Sequence, residues 1–245
     1  MKHLFAKFVR QLGYEIVPAW RMQRHHFAQH LSGLFERLKI ESVLDVGANK
    51  GQYRDFLRME VGFKGSIVSF EPVQSTFENL AVRAKEDPNW TVRNCALGDH
   101  DGEMKINVMA SSSLTSFLEP DRSHLSLEKN VVVKKETVVI RRLDTIAMEL
   151  DSVPLNICYL KLDTQGYDLQ VCNGAGHFMN RVLALQSEMS VIPIYHGMPG
   201  YMESLQYLNS LGYMLSGIFP VRLDSNFRLV EFDCVMVQHQ SEQKP

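Results

Sequence analysis

The segment Ser42-Val43-Leu44-Asp45-Val46-Gly47-Ala48-Asn49-Lys50-Gly51 constrains this chain more than any other. A short apolar strand carries an acid near its end and runs directly into a glycine-punctuated turn, and a helix-like stretch, Gln52 to Glu60, follows. A second apolar strand, Ser66–Phe70, is then closed by Glu71, 26 residues after Asp45. Strand, small-residue loop, helix and a strand ending in an acid form a βαβ nucleotide site. The terminal acid is placed to accept hydrogen bonds from both hydroxyls of a ribose.

The loop does not suit a dinucleotide. A pyrophosphate is bound by G-x-G-x-x-G, whose close-set glycines bring backbone amides to the phosphates. Here the glycines, Gly47 and Gly51, stand four apart, Asn49 lies between them, and Asp45 precedes the first by two. A carboxylate there repels phosphate and suits a cationic nucleoside. S-adenosylmethionine (SAM), with its ammonium and sulfonium, is one.

From Ser42 onward strands and helices alternate. Strands are predicted at Ser42–Val46, Ser66–Phe70, Thr91–Cys95, Ile157–Leu162, Val182–Glu188, Met214–Phe219 and Phe232–Gln238. Helices are predicted around Thr76–Lys85, Thr145–Leu150, Leu169–Cys172 and Met202–Leu211. Near-continuous apolar strands alternating with helices predict an α/β fold with a mostly parallel sheet covered on both faces. The last two strands are too close for a helical crossover and predict an antiparallel hairpin at the sheet edge.

Two regions frame this core. Residues 1–40 read as an N-terminal helical extension, with Phe27, Leu31, Leu34, Phe35 and Leu38 on one stripe. His26 and His30, one turn apart, read as a solvated face of that helix rather than a metal pair. The domain proper runs over 41–240, interrupted by a β-rich insertion at 99–143 between the third and fourth strands. Its polar, serine-rich part, 109–130, is expected to be mobile and to order over the site when ligands bind.

Composition narrows the function. The chain has 245 residues, 45% of them hydrophobic, enough for one substantial core. Its net charge is −2 and its cations are scattered, which argues against a nucleic-acid surface. The widely separated cysteines Cys95, Cys158, Cys172 and Cys234 form no C-x-x-C pair. Cys95 and Cys158, inside predicted strands, read as buried small hydrophobes in a reducing cytosol. No apolar run reaches the ~18 residues of a membrane span, and no signal-peptide core opens the chain, so a cytoplasmic protein is expected. A basic amphipathic segment with Leu4, Phe8 and Leu12 on one face and Lys2, Lys7 and Arg10 beside it leaves peripheral membrane contact open.

Six fragments in order carry a family resemblance. They are D-V-G-A-N-K-G-Q-Y (Asp45–Tyr53), F-E-P (Phe70–Pro72), N-C-A-L-G-D-H-D-G (Asn94–Gly102), S-S-L (Ser112–Leu114), R-L-D-T (Arg142–Thr145) and K-L-D-T-Q-G-Y-D (Lys161–Asp168). Through them the chain resembles the FkbM family of SAM-dependent methyltransferases. The resemblance implies a Rossmann-like class I methyltransferase fold, with a seven-stranded, mostly parallel sheet whose last strand is antiparallel. It also implies methyl transfer from SAM to oxygen, often on sugars or polyketide-type products. The acceptor is expected to be the hydroxyl of a small molecule or glycan.

In that frame Gly47 and Gly51 would let the backbone pass close to the methionine moiety. Asp45 would hold the ammonium, Asn49 the carboxylate and Glu71 the ribose. The Asn94–Leu97 stretch, with Asn94, Ala96 and Leu97, would lie along the adenine. Tyr53, Pro72 and Ser113, inside matching fragments, join the expected cofactor set. Asp163, ending the fourth strand beside the transferable methyl, would contact cofactor and position the acceptor. His196, in the loop after the fifth strand, is a second candidate base. Glu188 has an address similar to that of Asp163; the two could share a divalent cation, but no third ligand accompanies them and no metal is assigned. Gln165 stands where many relatives carry an acid, so no catalytic role transfers to it. An N-P-P-Y-type tetrapeptide, the mark of enzymes that methylate exocyclic base nitrogens, does not occur after the fourth strand. Two alternatives stay open: an NAD(P)-dependent oxidoreductase, weakened by Asp45 and the missing G-x-G-x-x-G, and a catalytically silent SAM-binding module.

Overall fold

The computed structural model describes residues 12–14, 17–18, 22–123 and 131–239. Apart from Leu12, the basic amphipathic segment of the N-terminus lies outside them. Helix α1 (Met22–Leu38) leads into β1 (Ser42–Val46), then α2 (Gln52–Phe56) with a π-helical turn at Leu57–Val61, then β2 (Ser66–Phe70). Helix α3 (Gln74–Ala84), β3 (Trp90–Arg93) and the short β4 (Ala96–Leu97) follow. The insertion carries β5 (Gly102–Met109), a 3-10 turn at Ser112–Leu114, and β6 (Val132–Arg141). The second half runs through α4 (Leu143–Ile146), β7 (Cys158–Leu162), α5 (Asp168–Ala175), β8 (Val182–Ser190), α6 (Tyr201–Ser210), β9 (Tyr213–Leu223) and β10 (Leu229–Gln238).

Seven strands form one sheet in the order β3-β2-β1-β7-β8-β10-β9. The first five are parallel, and β10 runs antiparallel to β8 and β9. The expected terminal hairpin is present, with the last strand inserted between β8 and the edge strand β9. Residues 224–228 are too few for a crossover, and Asp224 Oδ1 tightens the turn by accepting from the amides of Asn226 and Arg228. Strand order reverses between β1 and β7. Open α/β sheets bind ligands in the crevice at the carboxyl ends beside such a point.

Both sheet faces are covered, as the apolar strands predict; every residue of β1 and β7 is buried. Leu44, Val46, Phe70, Leu160 and Leu162 pack with α4, α5 and α6 on one side. Val43, Ile67, Tyr159, Ala184 and Val235 pack with α1, α2 and α3 on the other. The α1 stripe is what docks it: Phe27, Leu31 and Phe35 are buried, and the Phe27 ring lies 5.2 Å from Phe56 and 4.6 Å from Phe219. His26 is exposed, but His30 is not on a solvated face. It is half-buried, 3.0 Å from Ser216 Oγ and against the Phe219 ring.

The third strand ends at Arg93, earlier than the predicted Cys95. Asn94 Nδ2 donates to the carbonyls of Glu71 and Pro72 and bends the chain after Arg93. Ala96–Leu97 therefore leaves the main sheet and joins β5 and β6 in a second one, ordered β4-β6-β5. Cys95 falls in that bend rather than in a strand, and is still buried, as are Cys158, Cys172 and Cys234. Among the described residues no helix is long and apolar enough to cross a membrane.

Candidate active site

A cavity of about 740 Å³ opens at the carboxyl ends of β1, β2, β7 and β8, within the ~300–1,000 Å³ usual for small-molecule sites. A polar row crosses the sheet in register at and beneath the cavity floor: Ser69 beside Asp45, Asp45 beside Lys161, and Lys161 beside Gln186. Trp90 Nε1 donates to Ser69 Oγ at 3.0 Å, and that hydroxyl donates to Asp45 Oδ2 at 2.9 Å. Lys161 Nζ lies 3.0 Å from Asp45 Oδ1 and 3.3 Å from Asp163 Oδ2, and it donates to the Gly47 carbonyl. Burial alone would lower the proton affinity of Lys161. The carboxylates of Asp45 and Asp163 outweigh it and hold the ammonium above the ordinary lysine range. Gln186 extends the row by accepting from the Tyr53 hydroxyl at 2.7 Å and donating to Asp233 Oδ1 at 2.8 Å.

The wall above β1 and β2 is built from backbone. Gly47 has φ +78°, and a Cβ there would sit 2.0 Å from the carbonyl oxygen of Asp163. Glycine thus lets the β1 loop lie directly on the end of β7. Beyond it, the amides of Asn49 and Val73 each donate to one oxygen of Glu71, both at 2.9 Å. Burial nevertheless dominates and pushes the Glu71 carboxyl up to about 7. Asn49 Oδ1 is buried without a hydrogen-bond partner. Such an atom is costly unless a ligand completes it.

The opposite wall is acidic. Asp163 ends β7, and Glu188, on β8, faces the cavity beside it. Burial and the neighbouring charges of Asp163, Glu231 and Asp233 push the Glu188 carboxyl well above the usual range. Burial likewise raises Asp233 to about 6. A pocket lined by these groups favours a cationic guest.

The chain's own sequence supplies the family. The methyltransferase FkbM domain matches residues 45–215, the greater part of the chain. The chain belongs to the FkbM methyltransferase family. No curated protein gives a match. Among solved structures this methyltransferase is similar to magnesium protoporphyrin IX methyltransferase from Synechocystis PCC 6803, at 10% identity and TM-score 0.46, covering 96% of this chain and 90% of that one. It is also similar to Burkholderia thailandensis 1,6-didemethyltoxoflavin-N1-methyltransferase, at 9% identity and TM-score 0.46, with 90% and 81% covered. Aeropyrum pernix fibrillarin is a third, at 11% identity and TM-score 0.46, with 80% and 66% covered. The sheet is that of a class I methyltransferase, and the enzyme uses SAM.

The expected site residues of the methyltransferase fall into two groups. Gly47, Asn49, Tyr53, Glu71, Pro72, Ala96, Leu97, Ser113 and Asp163 line the cavity together. Asp45, Gly51, Asn94 and His196 do not. Asp45 is fully buried beneath the floor, where Lys161 and Ser69 engage it, so it does not reach a ligand's ammonium. A Cβ at Gly51 would meet Trp90, Leu80 and Arg83, so that glycine clears protein rather than cofactor. Asn94 holds the backbone of Glu71 and Pro72. His196 is exposed, its amide bonded to the Glu119 carbonyl.

The serine-rich segment is no free loop over its described part, up to residue 123; residues 124–130 lie outside the described ones. Ser116 is buried, and its hydroxyl donates to the Gln165 carbonyl at 2.8 Å. Asn107 Nδ2 ties down the Leu118 carbonyl, and Leu114 and Leu118 pack on Ile194 and Tyr195. Here Ser112, Ser113, Thr115 and Phe117 line the cavity.

Sequence reasoning missed Lys161, Gln186 and Asp233. Lys161 had a signal, a charged residue inside an otherwise apolar strand, which is expensive to bury without a partner; Gln186 and Asp233 stand in strands with other polar residues and were less marked. Arg24 and Phe27 of α1, and the Phe219–Leu223 end of β9, line the cavity from distant parts of the chain and carried no such signal.

Proposed function

We propose that this methyltransferase acts on a hydroxyl oxygen of a small molecule or glycan. The observation that carries the reading is Glu188, a cavity-facing carboxyl of raised proton affinity beside Asp163. A hydroxyl is a poor nucleophile, and its proton needs an acceptor as the new bond forms; a base of raised pKa serves better than an ordinary carboxylate. The oxidoreductase alternative falls with the family match.

Bound SAM supplies the electrophilic methyl. The residues fit it: Glu71 offers a carboxylate to the ribose, Asn49 Oδ1 an unsatisfied acceptor, and the acidic wall an environment for positive charge. Asp45 acts one layer down, through Lys161, which fixes the Gly47 carbonyl and Asp163. Ala96, Leu97 and Ser113 form the adenine side. Asp163 and Glu188 would hold the acceptor for attack on the methyl, positioning from which most of the acceleration is expected.

Glu71→Ala should weaken S-adenosylhomocysteine by about 1.5–3 kcal/mol, the range for hydrogen bonds to a charged group. The pH dependence has a definite sign. The carboxylate accepts from ribose hydroxyls and its protonated form does so poorly, so a proton must leave before binding. With the free carboxyl at about 7, affinity should be level above pH 7 and fall as pH drops below it, by up to ~10-fold per unit. Calorimetry from pH 5.5 to 8.5 checks this, and a Glu71→Gln variant should lose the slope. An unchanged profile in that variant removes Glu71 from the site.

The acceptor atom is tested by supplying carbon-13 methyl-labelled SAM with sugar and natural-product acceptors. The labelled product's NMR spectrum distinguishes O-methyl from N- or C-methyl. Efficient methylation of nitrogen or carbon, with no oxygen product, would end the O-methyl reading.

A further inference from the structure

Gln165 is held more tightly than a loop residue needs to be. Its backbone has φ +54°, a left-handed conformation unfavourable for a residue other than glycine, and it is buried. Ser116 Oγ donates to its carbonyl, and the Tyr195 hydroxyl, which donates to Leu114 O at 2.6 Å, lies 3.3 Å from its Oε1. Its Nε2 donates one hydrogen to Asp163 Oδ1 at 3.0 Å and the other to Glu188 Oε2 at 2.8 Å.

Two carboxylates drawn together in a partly buried cleft repel unless one is protonated or something positive lies between them. Oxygen-rich carboxylate sites commonly use a divalent cation for this. Lys161 approaches only the far oxygen of Asp163. Between the facing oxygens of Asp163 and Glu188 stands the amide nitrogen of residue 165, with its two positive hydrogens.

We propose that Gln165 takes the place of a divalent cation, its amide pairing Asp163 and Glu188 so that the site works without a metal ion. Gln165 is then a positioning residue, and the residue type at 165 decides whether the cleft binds a cation. An isosteric glutamate there would bring a third carboxylate within about 3 Å of the other two. Three converging carboxylates draw in a hard divalent ion.

This deepens the proposed function, since it rests on Asp163 and Glu188 as the working pair. Its test needs neither acceptor nor turnover, so the two readings fail separately. Full-length wild type, Glu188→Gln, Gln165→Glu and the double variant Gln165→Glu/Glu188→Gln are titrated with Mn²⁺ alone by calorimetry, and S-adenosylhomocysteine affinity reports the integrity of each. Wild type should bind no Mn²⁺ that Glu188→Gln abolishes. Gln165→Glu should bind Mn²⁺ at least about tenfold more tightly than wild type, and the double variant should lose that gain. Wild-type Mn²⁺ binding that disappears in Glu188→Gln would overturn the proposal, whether or not the glutamate variant folds. So would a Gln165→Glu protein that keeps its S-adenosylhomocysteine affinity and gains no Mn²⁺ site.

Discussion

Replacing Lys161 with methionine is expected to cost the fold about 3–5 kcal/mol, the range for breaking a buried ion pair from one side. The lysine is nearly inaccessible, and its removal strands Asp45, fully buried with only the Ser69 hydroxyl left to it. Urea denaturation of the ligand-free protein would measure the loss. Asp45→Asn added to Lys161→Met should recover much of it, because the second change removes the unpaired charge rather than another contact. A single variant within 1 kcal/mol of wild type, or a double variant worse than the sum of its parts, would show that the row does not behave as a buried pair. The same lysine holds the Gly47 carbonyl and Asp163, so a folded Lys161→Met protein should also bind S-adenosylhomocysteine more weakly.

Glu188→Gln is expected to lower kcat by about 10²–10⁴-fold, the usual contribution of a positioned base. S-adenosylhomocysteine affinity should stay near wild type, which separates a failed proton transfer from a lost cofactor. The pH profile adds a sign. Burial raises the carboxyl, and only its ionised form accepts a proton, so the wild-type rate should fall as pH drops through that raised value. The glutamine variant should lack this limb. Normal kcat in Glu188→Gln would leave Asp163, or positioning alone, as the explanation. His196→Ala serves as the comparison: exposed and outside the cavity, it should keep kcat.

Much of the architecture was legible because the signals were local and redundant. Ser42–Val46 and Ser66–Phe70 are strands over their predicted lengths, since apolar runs of that length buried on both faces leave few other solutions. Cavity-lining Gly47, Asn49, Glu71 and Asp163 were legible too, because each closes a strand or turns the loop just after one, and the βαβ layout fixes where such positions point. The helix starting at Leu143 rather than Thr145, and the bend at Asn94, were less so. In the second case one side-chain amide bonding two carbonyls distant in sequence ends the strand early.

The sequence by itself determined the main strands, their alternation with helices, the terminal hairpin and the glycine turn after β1, because strand periodicity and glycine spacing act between near neighbours. Only the tertiary structure decided what those residues face. Asp45 reads as a ligand for an ammonium, and its partner turned out to be Lys161 of the adjacent strand, because parallel pairing sets the two side by side in register. Gln165 and Glu188, Tyr53 and Gln186, and Phe27 and Phe219 meet across long stretches of chain. No local pattern encodes such meetings. They follow from the order in which the strands assemble, and in a low-dielectric cavity that order also sets the proton affinities of the groups brought together.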